Sequence, residues 1–208
     1  VSIGFQLGGQ AFSQIIFFKD KKSLERFTEG NFEFGLPEGR GIYKYKSGIT
    51  YDGFFKKGKK HGQGQLTLKN GQIFQGFFEE NNLPNEVTIK YPDGRIYFGS
   101  TIKGIPNGKG LMTFIDNSSY NGNFRNGMFN GNGVYVFELG ERFEGRYRNG
   151  KKEGKGSFIW KDGRKMTSTF NNGKLGEEVV INYENGNIYS GMLNDGLPSG
   201  RGELGIEN

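Results

Sequence analysis

A period of 23 residues runs through most of the chain and limits the folds that it can adopt. Rings or apolar side chains recur at this spacing, at Tyr51, Phe74, Tyr97, Tyr120, Phe143, Met166 and Tyr189. A fixed period of this length is typical of repeat proteins, in which each copy packs on its neighbours. The period predicts a non-repeat segment over residues 1–27 and a repeat array over 28–208, with copies beginning at 28, 51, 74, 97, 120, 143, 166 and 189.

Each copy alternates with a period of two, which is typical of β-strands. Tyr51, Gly53 and Phe55 fall on one face of a strand, and Leu66 and Leu68 fall on the same face of the next strand. Glycine on that face leaves room for a neighbouring ring to lie over the backbone. The pattern therefore predicts an all-β fold: an elongated single-layer antiparallel sheet of about eight β-hairpins, lined with rings on one face.

Two turns divide each copy. Asparagine or aspartate followed by glycine is typical of type I′ hairpins, and this pair occurs at Asn70-Gly71, Asp93-Gly94, Asp162-Gly163 and Asn185-Gly186. The second turn is expected to be longer and to run from Gly58 to Gly62.

The repeat resembles a known family. Its second copy carries Tyr51, Gly53, Gly58, His61, Gly62, Gly64, Asn70 and Gly71, which is similar to the MORN (membrane occupation and recognition nexus) consensus. The resemblance covers residues 28–208. It implies a twisted antiparallel single-layer sheet, sometimes dimeric, and association with phospholipid membranes, cytoskeleton or protein partners.

Two copies depart from the glycine pattern. The third has Asn81, Asn85 and Val87 at glycine positions, and the seventh has Ser168, Glu177 and Val179. We expect altered twist or ring stacking there, either as tolerated drift or as bends that shape a binding surface.

The first 27 residues do not fit the period. Residues 3–10 and 13–18 predict two strands joined by a glycine-containing turn, and Asp20 is a candidate N-cap for a short helix over 20–27. Residues 1–35 resemble a fragment of the SYLF (Ysc84-like) lipid-binding domain. Because most of that domain has no counterpart here, the resemblance does not carry over phosphoinositide binding. A β-hairpin and helix that cap the open end of the array are the alternative.

The residue types disfavour catalysis. The sequence has no cysteine and a single histidine, His61, in a predicted turn, so we expect no catalytic residue, no cofactor and no metal site. The glycine-rich stretches lack the lysine and the following helix of a phosphate loop. No apolar run reaches the roughly 18 residues of a membrane span. The chain begins at Val1 with no initiator methionine, and we expect it to be part of a longer, cytoplasmic protein.

Charge and exposed apolar residues supply the candidate sites. The net charge of +6 includes two basic clusters that are candidates for lipid headgroups. These are Lys56, Lys57, Lys59 and Lys60, and Arg146, Arg148, Lys151, Lys152 and Lys155. Apolar residues in turns are candidates for a partner or dimer edge, unless they pack on neighbouring turns. These are Leu83, Ile105, Met128, Phe129 and Leu197.

The leading functional hypothesis is a non-catalytic scaffold that binds protein partners, as a monomer or a homodimer, through the ring-lined face or the apolar edge. The alternative is peripheral association with anionic phospholipid through the basic turns. Nucleic-acid binding ranks last, because the rings are predicted to be packed and unavailable for base stacking.

Overall fold

In a computed structural model, the structure describes residues 37–194 and 197–205, without the side chains of residues 200 and 201. The predicted N-terminal hairpin and helix lie outside these residues, as does the SYLF-like segment. The described part contains 15 strands and no helix, so it has no helix able to span a membrane.

The strands fall into two compact units, divided after Gly94. The first unit contains β1 Gly39–Lys44, β2 Thr50–Lys56, β3 Lys59–Thr67, β4 Ile73–Phe78 and β5 Glu86–Lys90. The second contains β6 Ile96–Ile102, β7 Ile105–Thr113, β8 Ser119–Arg125, β9 Met128–Val136, β10 Arg142–Arg148, β11 Lys151–Ile159, β12 Lys165–Asn171, β13 Lys174–Asn182, β14 Ile188–Asn194 and β15 Leu197–Gly205. Within each unit every strand pairs antiparallel with the next in the chain. The predicted all-β array of repeat hairpins is confirmed.

The core lies on one face of the sheet and is made of rings laid over glycines. Gly53 pairs with Gly64, and the Tyr51 ring occupies the space that their side chains would fill. The same arrangement joins Tyr120 to its glycine pair, and Tyr51 and Tyr120 are fully buried. Rings in the same copy and the next close around each of these tyrosines, edge to face, at 5.1–5.2 Å. Each such contact contributes about 0.5–1.5 kcal/mol, so the copies are coupled through their rings.

A bulge follows the glycine pair inside the hairpin in the second, fourth, fifth, sixth and eighth copies. After the pair of Gly53 and Gly64, the register resumes at Phe55 and Lys60, so β3 carries two extra residues opposite Phe54. The Tyr51 hydroxyl donates to the Phe54 carbonyl at 3.0 Å. The tyrosine thus supplies a hydrogen bond where the ladder is interrupted. The tyrosines of three other copies do the same, Tyr97 to Ser100, Tyr120 to Asn123 and Tyr189 to Met192.

The turn assignments from sequence were wrong in type. The tight two-residue hairpin loop is Lys57-Gly58 and its equivalents, in which both residues have positive φ, as a type I′ turn requires. At Asn70-Gly71 only the glycine has positive φ, and the Asn70 carboxamide oxygen accepts from the Gln72 amide. Gly62 lies in the bulge of β3. The sequence motif misled because a side chain that accepts a nearby amide also favours Asn and Asp in this wider turn.

The tight turns are hydrogen-bonded to the preceding copy. The Gly127 amide donates to the Pro106 carbonyl, and the Gly150 amide donates to the Phe129 carbonyl, both at 2.9 Å. Such bonds satisfy backbone groups that would otherwise point away from the ladder. They connect the copies in addition to the rings and to the ladders between strands of neighbouring copies, such as β7 and β8.

The third copy is irregular, as expected. β4 and β5 pair over only three residues, from Ile73 to Gln75, and a lone bridge joins Glu79 to Asn82. Pro84 lies over Gly76, in the space that a ring takes elsewhere, and Val87 is buried at the second glycine position.

The seventh copy replaces the ring by aliphatic packing. Met166, Val179, Ile181 and Tyr189 form a buried cluster, and the Ser168 hydroxyl donates to the Glu178 carbonyl at 2.7 Å. Valine at the second glycine position is buried in this cluster. Both irregular copies therefore carry a buried valine in place of the second glycine, but the third copy keeps a buried ring, Phe74.

Candidate functional site

One position covers the buried ring in the fifth and sixth copies. It follows the tight turn by two residues, and in the fifth copy Phe129 stacks on the Tyr120 ring with centroids 3.7 Å apart. Lys152 holds this position in the next copy, with its ammonium 4.4 Å from the centre of the Phe143 ring. We call this the capping position. Its residues are Lys60, Leu83, Pro106, Phe129, Lys152, Leu175 and Pro198.

Lys152 is the most enclosed of the predicted basic residues. Its ammonium also lies 5.7 Å from the Phe137 ring and 5.6 Å from the Phe170 ring. Burial lowers the pKa of the Lys152 ammonium. Lys60 makes a more distant contact of the same kind, with its ammonium 5.8 Å from the centre of the Tyr51 ring. The Lys60 ammonium also donates to the Tyr45 hydroxyl at 3.1 Å. The ammonium groups of these two lysines therefore take part in packing the ring face.

The first predicted basic cluster surrounds one tight turn. Lys56 pairs in register with Lys59, and the Lys59 ammonium lies 3.2 Å from the Glu80 carboxylate. Lys57 is in the turn itself, and its backbone amide donates to Glu38. Of the four lysines, Lys56 and Lys57 are exposed with no ion pair within the described ranges.

The second predicted basic cluster is divided between three places. Arg148 and Lys151 flank a tight turn, and Arg148 lies 3.6 Å from the Glu153 carboxylate. Lys152 caps the Phe143 ring. Arg146 and Lys155 project from the opposite face of the sheet, which we call the outer face, and line a recess there.

The residues of the predicted apolar edge differ in their exposure. Ile105 and Met128 are exposed beside tight turns, together with Ile102, the register partner of Ile105, and Leu197 is exposed on β15. Ile105 also lies beside Gly127 of the next turn. Phe129 is instead committed to the Tyr120 ring, and Leu83 is half-buried in the irregular third copy.

A second row of rings lies beside the buried rings on the same face, in the second unit. Phe114, Tyr135, Phe137, Phe158 and Trp160 are all half-buried, and consecutive ring centres are 4.8–5.9 Å apart. We call this row the aromatic strip. The Arg164 guanidinium covers the Trp160 ring at 5.0 Å. The sequence placed several of these residues on the ring-lined face but did not distinguish half-buried rings from buried ones.

The outer face carries two open recesses. In the first unit, a recess of about 480 Å³ is lined by polar side chains, among them Asp52, Gln65 and Gln75, and by the exposed rings of Phe54 and Phe77. In the second unit, a recess of about 480 Å³ is lined by Asn132, Gly133, Val134, Glu144, Gly145, Arg146 and Lys155. The sequence pattern had predicted no role for this face.

Burial raises the pKa of several tyrosine hydroxyls. Burial raises the pKa of Tyr51 to about 12 and that of Tyr120 to about 12. Burial also raises the pKa of Tyr147, whose hydroxyl is buried without a hydrogen-bond partner among the described residues. These phenols are neutral at physiological pH and serve the core.

Comparison with known proteins gives one family and several solved structures. Structures with a similar fold include the TCP10 domain of Danio rerio CPAP, with 18% identity, a TM-score of 0.49 and coverage of 75% of this chain and 74% of that chain. The SAS-4 TCP domain of Drosophila melanogaster, in complex with a proline-rich motif of Ana2, has 11% identity, a TM-score of 0.48 and coverage of 81% and 84%. A comparison with curated protein sequences found no match.

The family model for the MORN repeat matches residues 29–50, 51–73, 97–119, 120–138, 143–163 and 189–205. The unmatched copies are the third and seventh, in which a buried valine replaces the second glycine. The matches cover more than half of the chain and recur at its own period. The chain belongs to the MORN repeat family.

Proposed function

We propose that this MORN array is a non-catalytic scaffold that binds a protein partner through the aromatic strip. The observation that carries the proposal is a continuous row of five half-buried rings on the ring-lined face of the second unit. The buried row beneath the capping residues already stabilises the fold. The half-buried row remains available to a ligand.

The strip is ordered before binding. Tyr135 contacts Phe114 and Phe137, and Phe137 contacts Phe158, so each ring is held by its neighbours. Rings fixed in advance lose little conformational entropy when a partner docks. Aromatic residues are also enriched in the centres of protein interfaces, with tryptophan prominent among the residues that contribute most.

The dimensions suit a protein segment. Phe114, Phe137 and Trp160 occupy one position in successive copies, and each copy adds two strands, or about 10 Å. The strip is therefore about 20 Å long between Phe114 and Trp160. That length accommodates about six residues of an extended chain or about 13 residues of a helix.

Site-specific crosslinking tests the proposal. A photoreactive benzophenone amino acid at Phe158 should crosslink a partner from an extract of the native cell. The same group at Val180, which is exposed on the outer face of β13, should not. The identified partner, once purified, should change the fluorescence of Trp160, the only tryptophan in the sequence.

Matched variants decide between the faces. Phe137→Ala or Trp160→Ala should weaken binding at least tenfold, about 1.4 kcal/mol, and Trp160→Phe should restore part of it. Val180→Ala is the control on the outer face, away from β7 to β11. Equal binding by all variants, or crosslinking only from position 180, would reject the strip as the interface.

The apolar edge is a second candidate contact, for another copy of the chain. Ile102 and Ile105 are paired in register, and both are more than half exposed, at 59% and 52%. Sedimentation velocity of the wild type and of Ile102→Ser/Ile105→Ser tests it. A monomer at all concentrations of the wild type would exclude this contact.

A further inference from the structure

A row of polar side chains crosses the outer face of the second unit along the line of bulges. Lys109 on β7 pairs with Asn123 on β8, and Asn132 on β9 pairs with Arg146 on β10. The Asn123 carboxamide donates to the Asn132 carbonyl at 3.2 Å, which joins the two pairs. Lys155 on β11 lines the same recess as Asn132 and Arg146. We call these five residues the basic row.

The cations of the basic row have no acidic partner. Lys109, Arg146 and Lys155 are exposed, and none forms an ion pair within the described part of the chain. Glu144 also lines the recess, but its carboxylate lies 2.7 Å from the Arg142 guanidinium. Two cations on adjacent strands therefore face solvent beside a carboxylate that is already paired.

The spacing of the row matches an extended polypeptide. Arg146 and Lys155 stand on neighbouring strands, about 5 Å apart, and Lys109 is three strands from Arg146, or about 14 Å. In an extended chain, side chains four residues apart are separated by about 13–14 Å. The carboxamides of Asn123 and Asn132 lie between the cations and can pair with the main chain of a peptide.

We propose that the basic row binds an extended acidic segment of a protein partner. Two carboxylates four residues apart pair with Lys109 and with the couple of Arg146 and Lys155, and the asparagines bind the backbone between them. The proposal rests on the proposed scaffold function and names the chemistry of a second, opposite surface.

Other anionic ligands fit the row less well. Single-stranded nucleic acid needs rings on which bases stack, and the row contains none between β7 and β11. A bilayer presents a broad surface, whereas Lys109, Arg146 and Lys155 lie along one line across the strands. A single extended chain can follow this line.

Peptide titration tests the proposal. The probe is a fluorescein-labelled nine-residue peptide of Ser, Thr and Gly with Glu at positions 3 and 7, followed by anisotropy at low salt. We expect binding that weakens as salt increases, and loss of binding when both glutamates are replaced by glutamine.

Charge variants locate the site. Arg146→Glu/Lys155→Glu should weaken peptide binding at least tenfold, and Arg146→Gln/Lys155→Gln should weaken it with less disturbance of the fold, which circular dichroism checks. Arg148→Glu/Lys151→Glu makes the same charge change in the same copy, at the turn edge, and should change binding less than twofold. If the two glutamate double variants weaken peptide binding equally, net charge alone explains the binding and the proposal is overturned.

Two further arms separate the alternatives. The same variants are titrated with an oligothymidine and with vesicles that contain phosphatidylserine. If either ligand binds more tightly than the peptide and its binding depends on Arg146 and Lys155, the choice of an acidic peptide as the ligand is overturned. Trp160→Ala should leave peptide binding unchanged, so the failure of strip binding and the failure of the basic row are distinguishable.

Discussion

The ring of Phe129 lies 3.7 Å from the ring of Tyr120 and almost parallel to it, at 13°. Tyr120 thereby has glycine backbone on one side and a ring on the other. It is completely buried, although the described residues place no second layer of secondary structure over this copy. The capping position explains how a short copy builds a core: glycine, ring and cap form three levels on one face. Substitution of the glycine, the ring or the cap should therefore lower the free energy of unfolding measurably.

Alanine at a ring-covered glycine should destabilise the first unit. A Cβ at Gly53 would lie 2.6 Å from the Gly64 Cα atom, against backbone that cannot move independently. We expect Gly53→Ala to cost about 3 kcal/mol, near the upper end for overpacking. Urea unfolding and hydrogen exchange of the β2 and β3 amides provide the measurement.

Gly41 is the matched control, because it is the register partner of Gly53 on β1. Its Cβ would come no closer than 3.7 Å to the Phe55 ring. Gly41→Ala should change the free energy of unfolding by less than about 1 kcal/mol. If both variants lose a similar free energy of unfolding, the loss comes from replacing any strand glycine and not from contact with the ring.

The cap at Lys152 should tolerate loss of its charge but not of its length. The three rings attract the ammonium, whereas burial lowers its pKa, and the methylenes cover the Phe143 ring in either state. We expect Lys152→Met to keep the melting temperature within a few degrees and Lys152→Ala to cost about 1–2 kcal/mol. If both variants lose stability equally, the cation itself is the main contribution.

Removing one tyrosine hydroxyl should leave a carbonyl without its donor. Tyr120→Phe removes the bond to the Asn123 carbonyl, and we expect a loss of about 1 kcal/mol. The sixth copy offers the reverse experiment, since Phe143 already lacks the hydroxyl. Phe143→Tyr should be neutral or stabilising by up to about 1 kcal/mol, as measured by urea unfolding, unless the capping ammonium of Lys152 is displaced.

Alkaline pH should unfold the protein through these phenols. The pKa of Tyr51 and that of Tyr120 are raised to about 12, so the unfolded state loses protons first, from about pH 10. Stability is therefore fully present below pH 10 and falls as the pH rises towards 12. Thermal melts between pH 8 and 12 measure this, and Tyr120→Phe should flatten the slope. A slope that is unchanged in that variant would assign the loss to other groups.

Substitutions at Met166, Ser168 and Val179 in the seventh copy should have coupled effects on the free energy of unfolding. Val179→Gly alone removes a buried side chain and should cost about 3 kcal/mol. Met166→Tyr/Ser168→Gly/Val179→Gly restores the ring over two glycines and should recover at least half of that loss. Effects that add independently would contradict the exchange of ring for valine, because residues in contact are expected to couple.

Several features of the site could be predicted from the period alone. The repetition of rings two residues before glycines identified the hairpin copies, the ring-lined face and the two irregular copies. The basic residues were recognised as a group by their closeness in sequence. Their separation could not be recognised, because Arg146, Arg148 and Lys152 lie within seven residues and yet project to the outer face, the turn edge and the ring face.

Alternation and glycine spacing are local properties, so they were enough to predict the strands, the copies and the face that carries the rings. The turn type, the residue at the capping position and the membership of the basic row emerge only in the folded chain. They depend on the two-residue bulge after the glycine pair inside a hairpin, which shifts the partner of every residue beyond it. A shift of register changes which side chains meet across strands, and composition does not reveal it.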